Sequence, residues 1–506
     1  MIDKYKKYID EAKVYDVAKK TPLDFQSSLS ARLNNQIYLK REDLQPVFSF
    51  KIRGAYNKMA HLDKDTLNKG VIAASAGNHA QGVALAAKTL GCKAIIVMPK
   101  TTPLIKTNAV RKYGAEVILH GLSLYESLEH ARQIEKEKDL TFIHPFDDPH
   151  VIAGQGTIGK EILEEFDKPI HAIFVCVGGG GLISGIASYI KSVNPKIKII
   201  GVEAEDSEAM TISLKKNDRI ALEQVGLFAE GAAVKQIGVN NFEIATQCVD
   251  EMVVVDNDEI CAAIKDVFED TRTILEPAGA LATAGLKSYV QKKNIQSKNL
   301  IGIASGANIN FDRLRFVAER AEIGEQREAI LSVNIPEKPG AFKSFCDLIG
   351  TRNITEFNYR YADPDQAHIF VGVTISDADD TKILLKNFND AGLSANDLTQ
   401  NEMAKLHLRH MVGGHAPQAK NEVIYRFEFP EKPGALLSFL TNMGENWNIS
   451  LFHYRNHGAD IGRVLIGMQV PEKDQEIFTS FLEKLEYPYF KETDNLGYKL
   501  FLGKNS

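Results

Sequence analysis

The chain reads as a two-lobed α/β unit followed by a tandem α+β tail, and three observations predict that order. From residue 37 onward, short apolar runs alternate with helical patterns, giving strands over 37–40, 70–75, 93–99 and 115–120 with helices such as 80–90 and 107–113 between them. After Phe146 the alternation resumes, with strands over 171–177, 198–203, 251–255 and 299–304. Strand-helix alternation implies largely parallel sheets covered by helices, with ligands at the carboxyl ends of the strands. Beyond residue 328 the pattern gives way to an internal repeat.

That repeat is explicit. Pro336-Glu337-Lys338-Pro339-Gly340-Ala341 recurs as Pro430-Glu431-Lys432-Pro433-Gly434-Ala435, Ser344-Phe345 as Ser438-Phe439, Asn353-Ile354 as Asn448-Ile449, and Tyr359-Arg360 as Tyr454-Arg455. Two copies of a βαββ-like unit are too few for a solenoid and predict a pseudo-symmetric pair. The charged run over 313–328 reads as a solvated helix or linker. The expected organisation is therefore 1–320 for the two α/β lobes, 321–328 for a linker, 329–405 for the first repeat, 406–422 for a second linker and 423–506 for the second repeat.

Length and composition set bounds on function. The 506 residues are 44% hydrophobic, enough for several cores, and the formal charge of -6 offers no basic surface for nucleic acid. The five cysteines show no paired spacing and the first twenty residues are charged throughout, which fits a reducing cytoplasm. The uncharged run over 169–190 is long enough to span a bilayer, but Gly178-Gly179-Gly180-Gly181 divides it into a strand and a helix too short to do so. No membrane span is expected.

Several stretches could carry chemistry. In Phe48-Ser49-Phe50-Lys51-Ile52-Arg53-Gly54, alternation passes into helical spacing, so Lys51 sits where an extended segment becomes a helix. The positive end of the helix dipole disfavours the ammonium form and favours a nucleophilic amine, although a lysine near a helix start is usually a solvated surface residue. Ser75-Ala76-Gly77-Asn78-His79 lies between a strand and a helix, where amides and side-chain donors bind an anion or merely cap the helix. The four glycines at 178–181 occupy a similar junction and let the backbone wrap a phosphate.

Other motifs narrow the choice. Gly154-Gln155-Gly156-Thr157-Ile158-Gly159-Lys160 approaches a nucleotide-binding loop, but Glu161 stands where that loop needs Ser or Thr, so a nucleotide triphosphatase is rejected. Glu276-Pro277-Ala278-Gly279 opens a helix, and Ser305-Gly306-Ala307-Asn308 follows a strand, both at element ends where a cleft would lie. Neither cysteine nor histidine spacing supports a metal site, and His407, His410 and His415 are expected to face solvent near a linker.

Together these stretches resemble the fold-type II pyridoxal-phosphate enzymes, the group that includes the tryptophan synthase β chain. The doubled Pro-Glu-Lys-Pro-Gly tail narrows the resemblance to the long biosynthetic threonine deaminases (threonine ammonia-lyases), with two C-terminal ACT-like repeats, over essentially the whole chain. The resemblance implies pyridoxal 5'-phosphate carried by Lys51 beside Phe50, with Gly178, Gly179, Gly180 and Gly181 on its phosphate, Asn78 on its ring oxygen and Ser305 on its pyridine nitrogen. Ser75, Ala76, Gly77, Asn78 and His79 would hold the substrate carboxylate, and Lys51 and Ser75 are the catalytic candidates.

The implied reaction converts L-threonine to 2-oxobutanoate and ammonia, the first committed step toward isoleucine, with Lys51 taking the α-proton. Isoleucine would inhibit through the repeats and valine would oppose it, with Tyr359 and Tyr454 as effector-site candidates; a homotetramer is the implied assembly. A serine/threonine dehydratase of broader specificity, a serine racemase or an inactive amino-acid sensor are the rivals.

Overall fold

In a computed structural model the chain divides into two compact units, Met1–Phe311 and Asp312–Ser506. The structure describes residues 1–336, 341–350, 352, 354–358, 365–410, 415, 419–430, 439, 442–443, 447–455, 461–485 and 487–503. Of residues 341–343, 346, 354, 356–358, 367, 448–449 and 452–455, only the backbone is described.

The first unit holds ten strands: β1 (Leu23–Phe25), β2 (Gln36–Arg41), β3 (Val71–Ala74), β4 (Ala94–Met98), β5 (Glu116–Leu119), β6 (Thr141–Phe142), β7 (Ala172–Cys176), β8 (Lys198–Ala204), β9 (Glu251–Val255) and β10 (Asn299–Ala304). They form a six-stranded sheet in the order β1-β2-β10-β7-β8-β9 and a four-stranded sheet in the order β5-β4-β3-β6. Every pairing is parallel except β1 with β2. The central strands β3, β4 and β7 are buried at every residue, as strands covered on both faces must be.

One placement differs from the sequence reading. Strand β2, expected beside the strands that follow it, pairs with β10 from Gln36↔Asn299 to Arg41↔Ala304. The chain therefore begins in the larger lobe, builds the smaller one over β3 to β6, and returns. Local pattern reports a strand but not which sheet receives it. The near-match to a nucleotide-binding loop lies inside the helix Pro149–Glu165. A Cβ on Gly154 would stand 2.6 Å from the Arg53 carbonyl oxygen, so the glycine lets this helix press against Lys51–Ala60.

In the second unit, β11 (Glu328–Pro336), β12 (Ile354–Asn358), β13 (Gln366–Thr374) and β14 (Ala395–Asp397) form an antiparallel sheet in the order β12-β13-β11-β14. Strands β15 (Glu422–Pro430), β16 (Asn448–Arg455), β17 (Ile461–Gln469) and β18 (Tyr489–Lys491) repeat it as β16-β17-β15-β18. Even the irregularity recurs, between Ile354 and Glu356 in one sheet and between Ile449 and Leu451 in the other. The repeat is longer than the βαββ-like unit expected, because the helices Ala378–Asp390 and Gln475–Lys484 each lead to one further short strand. Three-residue strands are too short for a period-2 signal to show.

Two further expectations are corrected. The run over 313–328 is largely a helix, Arg313–Gly324, one of the two forms expected, but it is not solvated throughout: Phe316, Val317, Arg320 and Ile323 are buried, and it falls in the second unit. His407 is fully buried, because the segment over 398–408 contributes Leu398, Met403, Ala404 and Leu408 to a core shared with Ile330 and Phe370 of one sheet and Ile424 and Leu465 of the other. His410 is exposed as expected. Among the described residues no helix is long and apolar enough to cross a membrane, and no cluster of three metal-ligating side chains occurs.

Candidate active site

Lys51 is the first residue of the helix Lys51–Ala60. The residue as a whole is half-buried, and its amine is enclosed. Burial lowers the amine from the ordinary 10.5 to about 8, against the opposing pull of Cys176 and Glu276. The Nζ donates to the Pro145 carbonyl oxygen at 3.0 Å and lies 5.2 Å from the centre of the Phe50 ring. Phe48, three residues earlier, adopts φ of 55°, an uncommon conformation for a bulky side chain. It is held there by hydrogen bonds from its amide to Gln45 and from the Ala307 amide to its carbonyl.

The carboxyl end of β10 meets this segment directly. The Phe50 amide donates to the Ser305 carbonyl at 3.2 Å, and Ser49 bridges Gly306. Ser305 is buried, its hydroxyl donating to the Ala278 carbonyl at 3.3 Å and accepting from the Cys176 thiol at 3.3 Å.

The four glycines join β7 to the helix Gly181–Val193. Gly180 has φ of 95°, which disfavours any side chain, and a Cβ on Gly179 would lie 2.3 Å from the Phe146 ring. Asn241 secures the turn, donating to the Phe146 and Gly179 carbonyls at 3.1 and 2.9 Å. Among the described residues, the amides of Gly178, Gly179, Gly180 and Gly181 find no protein acceptor. Adjacent amides without acceptors at a helix N-terminus make a cradle for an anion.

Asn78 opens the helix Asn78–Leu90 after β3. Its Nδ2 donates to Glu276 Oε1 at 2.5 Å and its Oδ1 accepts from Asn308 at 2.6 Å. The Ser75 hydroxyl accepts from the Gly77 amide at 3.3 Å. His79 turns inward, its Nε2 meeting the Ile143 carbonyl at 2.8 Å, and burial lowers it to about 3. The ring is thus neutral and committed to the core, which leaves its backbone amide toward the strand end.

The first unit therefore gathers Lys51, Phe50, Ser305 and the residues around Asn78 through direct bonds. Tyr359 and the Glu337 to Gly340 and Glu431 to Ala435 stretches lie outside the described residues, and Tyr454 is placed only as a backbone position of β16. Sequence reasoning left out Cys176, the Pro145 carbonyl, Phe146 and Asn241. A backbone acceptor and residues meeting from distant segments carry no local signal; Cys176, two residues before the glycines, offered one by position.

The residues fit pyridoxal phosphate: an enclosed amine poised near neutrality, a glycine cradle of unpaired amides, and a hydroxyl at an adjacent strand end. Residues 14–306 match the family model for pyridoxal-phosphate dependent enzymes, which defines the class. Residues 319–408 and 413–502 each match the C-terminal regulatory domain of threonine dehydratase. The chain belongs to the biosynthetic threonine dehydratase family. It is 56% identical over 501 residues to the L-threonine dehydratase biosynthetic IlvA of Burkholderia multivorans, covering 98% of this chain and 99% of that one. It is 50% identical to the enzyme of that name from Escherichia coli over 98% of this chain and 97% of the relative. The processed form of threonine deaminase isoform 2 from Solanum lycopersicum aligns structurally with a TM-score of 0.63 at 49% identity, over 64% of this chain and 88% of that one.

Proposed function

We propose that the chain deaminates L-threonine to 2-oxobutanoate and ammonia as the first step toward isoleucine, and that isoleucine restrains it through the paired repeats while valine opposes that restraint. The observation that carries the reading is the enclosed Lys51 amine, lowered to about 8, in the same unit as a cradle of unpaired glycine amides. Near-full-length likeness to biosynthetic threonine dehydratases supports it.

When bound, pyridoxal phosphate supplies the electron sink for the α-carbon. The chain supplies position and protons. The amides of residues 178–181 would hold the phosphate, and Phe50 would lie beside the ring. Ser305 would offer a hydroxyl to the pyridine nitrogen, which would leave that nitrogen uncharged because a hydroxyl does not give up its proton as an acid would. Ser75, Asn78 and the amides of residues 76–79 hold the substrate carboxylate at a helix N-terminus. The Lys51 Nζ, neutral in a useful fraction near pH 8, removes the α-proton, and enclosure keeps competing water from the reacting carbon.

The same reading places the protein in the cytoplasm as a homotetramer, the former in keeping with Cys92, Cys176 and Cys248, none of which forms a disulfide. The test is turnover of the purified holoenzyme on L-threonine, L-serine and D-serine, followed by titration with isoleucine and then valine. Release of 2-oxobutanoate from threonine, faster than pyruvate from serine and suppressed by isoleucine, is expected. Equal turnover of both amino acids would favour the broader dehydratase, and racemised serine the racemase.

A further inference from the structure

Cys176 has no part in the reading above, yet it is the side chain that touches Ser305. It ends β7, is 7% exposed, and its thiol donates to the Ser305 hydroxyl oxygen at 3.3 Å. A serine hydroxyl has one proton and two lone pairs. Here the proton goes to the Ala278 carbonyl at 3.3 Å, a separation well beyond the roughly 2.8 Å usual for an O–H···O bond. That bond is weak enough to be surrendered when a better acceptor faces the hydroxyl. The thiol contact, by contrast, occupies a lone pair and leaves the proton free to turn.

Burial raises the Cys176 thiol to about 11, so it keeps its proton and remains a donor throughout the working range. A donor on the oxygen also polarises the O–H bond and strengthens what that bond donates to, as hydrogen bonds in a chain reinforce one another.

We propose that Cys176 is a positioning residue for Ser305, its thiol holding the hydroxyl oxygen so that the serine proton is delivered to the cofactor's ring nitrogen. The inference rests on the reading of Ser305 as the partner of that nitrogen. Its consequence is a relay of three atoms, from sulfur to oxygen to ring nitrogen, in which Cys176 never touches the cofactor.

Holoenzymes of the parent, Cys176→Ala, Cys176→Ser, Ser305→Ala and the Cys176→Ala/Ser305→Ala double variant, each loaded with ring-labelled nitrogen-15 pyridoxal phosphate, provide the test. The ring-nitrogen chemical shift reports the hydrogen bond directly and is blind to simple loss of packing. Ser305→Ala is expected to move the shift toward that of an unbonded pyridine. Cys176→Ala should move it part of the way in the same direction, Cys176→Ser should restore it, and Cys176→Ala should add nothing once Ser305 is alanine. An unmoved shift in Cys176→Ala, or the same movement with and without Ser305, overturns the proposal. An unmoved shift in Ser305→Ala overturns the ring-nitrogen reading and this inference with it.

Discussion

Asn78 and Glu276 meet across 2.5 Å, the amide of one donating to the carboxylate of the other. Asn78 opens the helix after β3 in the smaller sheet, and Glu276 precedes the helix Pro277–Lys293 of the larger lobe. Together with the Asn308 bond to Asn78, this contact ties the two lobes at the carboxyl end of β3. Hydrogen bonds to charged groups contribute about 1.5–3 kcal/mol, so Glu276→Ala is expected to lower kcat/KM for threonine by about 10- to 100-fold. Steady-state kinetics check this, and a change under threefold contradicts it.

Lys51 sets a pH dependence. Its amine is lowered from 10.5 to about 8 chiefly by burial, so the charged form dominates below pH 8 and the free amine above it. In cofactor-free protein, acylation of Lys51 should rise with a midpoint near pH 8, whereas surface lysines continue rising toward 10.5. Mass spectrometry after short exposure to acetic anhydride separates the two. A Lys51 midpoint above 10 would mean that the amine is solvated.

The helix carrying Lys51 is anchored by Arg53, which is fully buried. Its guanidinium bonds Glu42 at 2.8 Å and Glu161 at 2.6 Å, and Lys40 adds a second cation to Glu161 at 2.9 Å. Arg53→Met leaves two buried carboxylates undercompensated, a loss of about 3–5 kcal/mol. Calorimetry should show a fall in the unfolding temperature of several degrees, about 2–4 °C for each kcal/mol in a domain of 150–250 residues and less in a larger one.

In the tail, the proposed effector role of Tyr454 predicts that Tyr454→Ala raises the isoleucine concentration for half-inhibition by about tenfold or more, as truncating an anchoring aromatic does. Inhibition curves on the full chain check it. An unchanged curve assigns Tyr454 to packing.

Much of this architecture is written locally. Lys51 at a helix start, the glycines between strand and helix, and Pro277 at a helix entry are each encoded within a few residues, and the repeat is visible by eye. The assignment of β2 to the larger sheet is not, since its partner β10 lies more than 250 residues away in sequence and periodicity carries no address. Separations of 94 and 129 residues likewise hid the Lys51 contact with the Pro145 carbonyl and the Cys176 contact with Ser305. Residues 406–408 misled for another reason. They open the stretch read as a linker, yet His407 and Leu408 are buried, the latter in a core shared by two sheets that only the repeat brings together.

The central claim is that Lys51 carries the cofactor and the proton chemistry. Absorbance of the purified protein and of Lys51→Ala, each after loading with pyridoxal phosphate and dialysis, tests it most directly when paired with 2-oxobutanoate release from threonine. The parent should hold a visible band that dialysis does not remove. The variant should lose that band and at least about a thousandfold in turnover, the scale expected when a covalent anchor and a base are removed together. A parent that is colourless, or a Lys51→Ala variant that keeps both band and activity, would contradict the account.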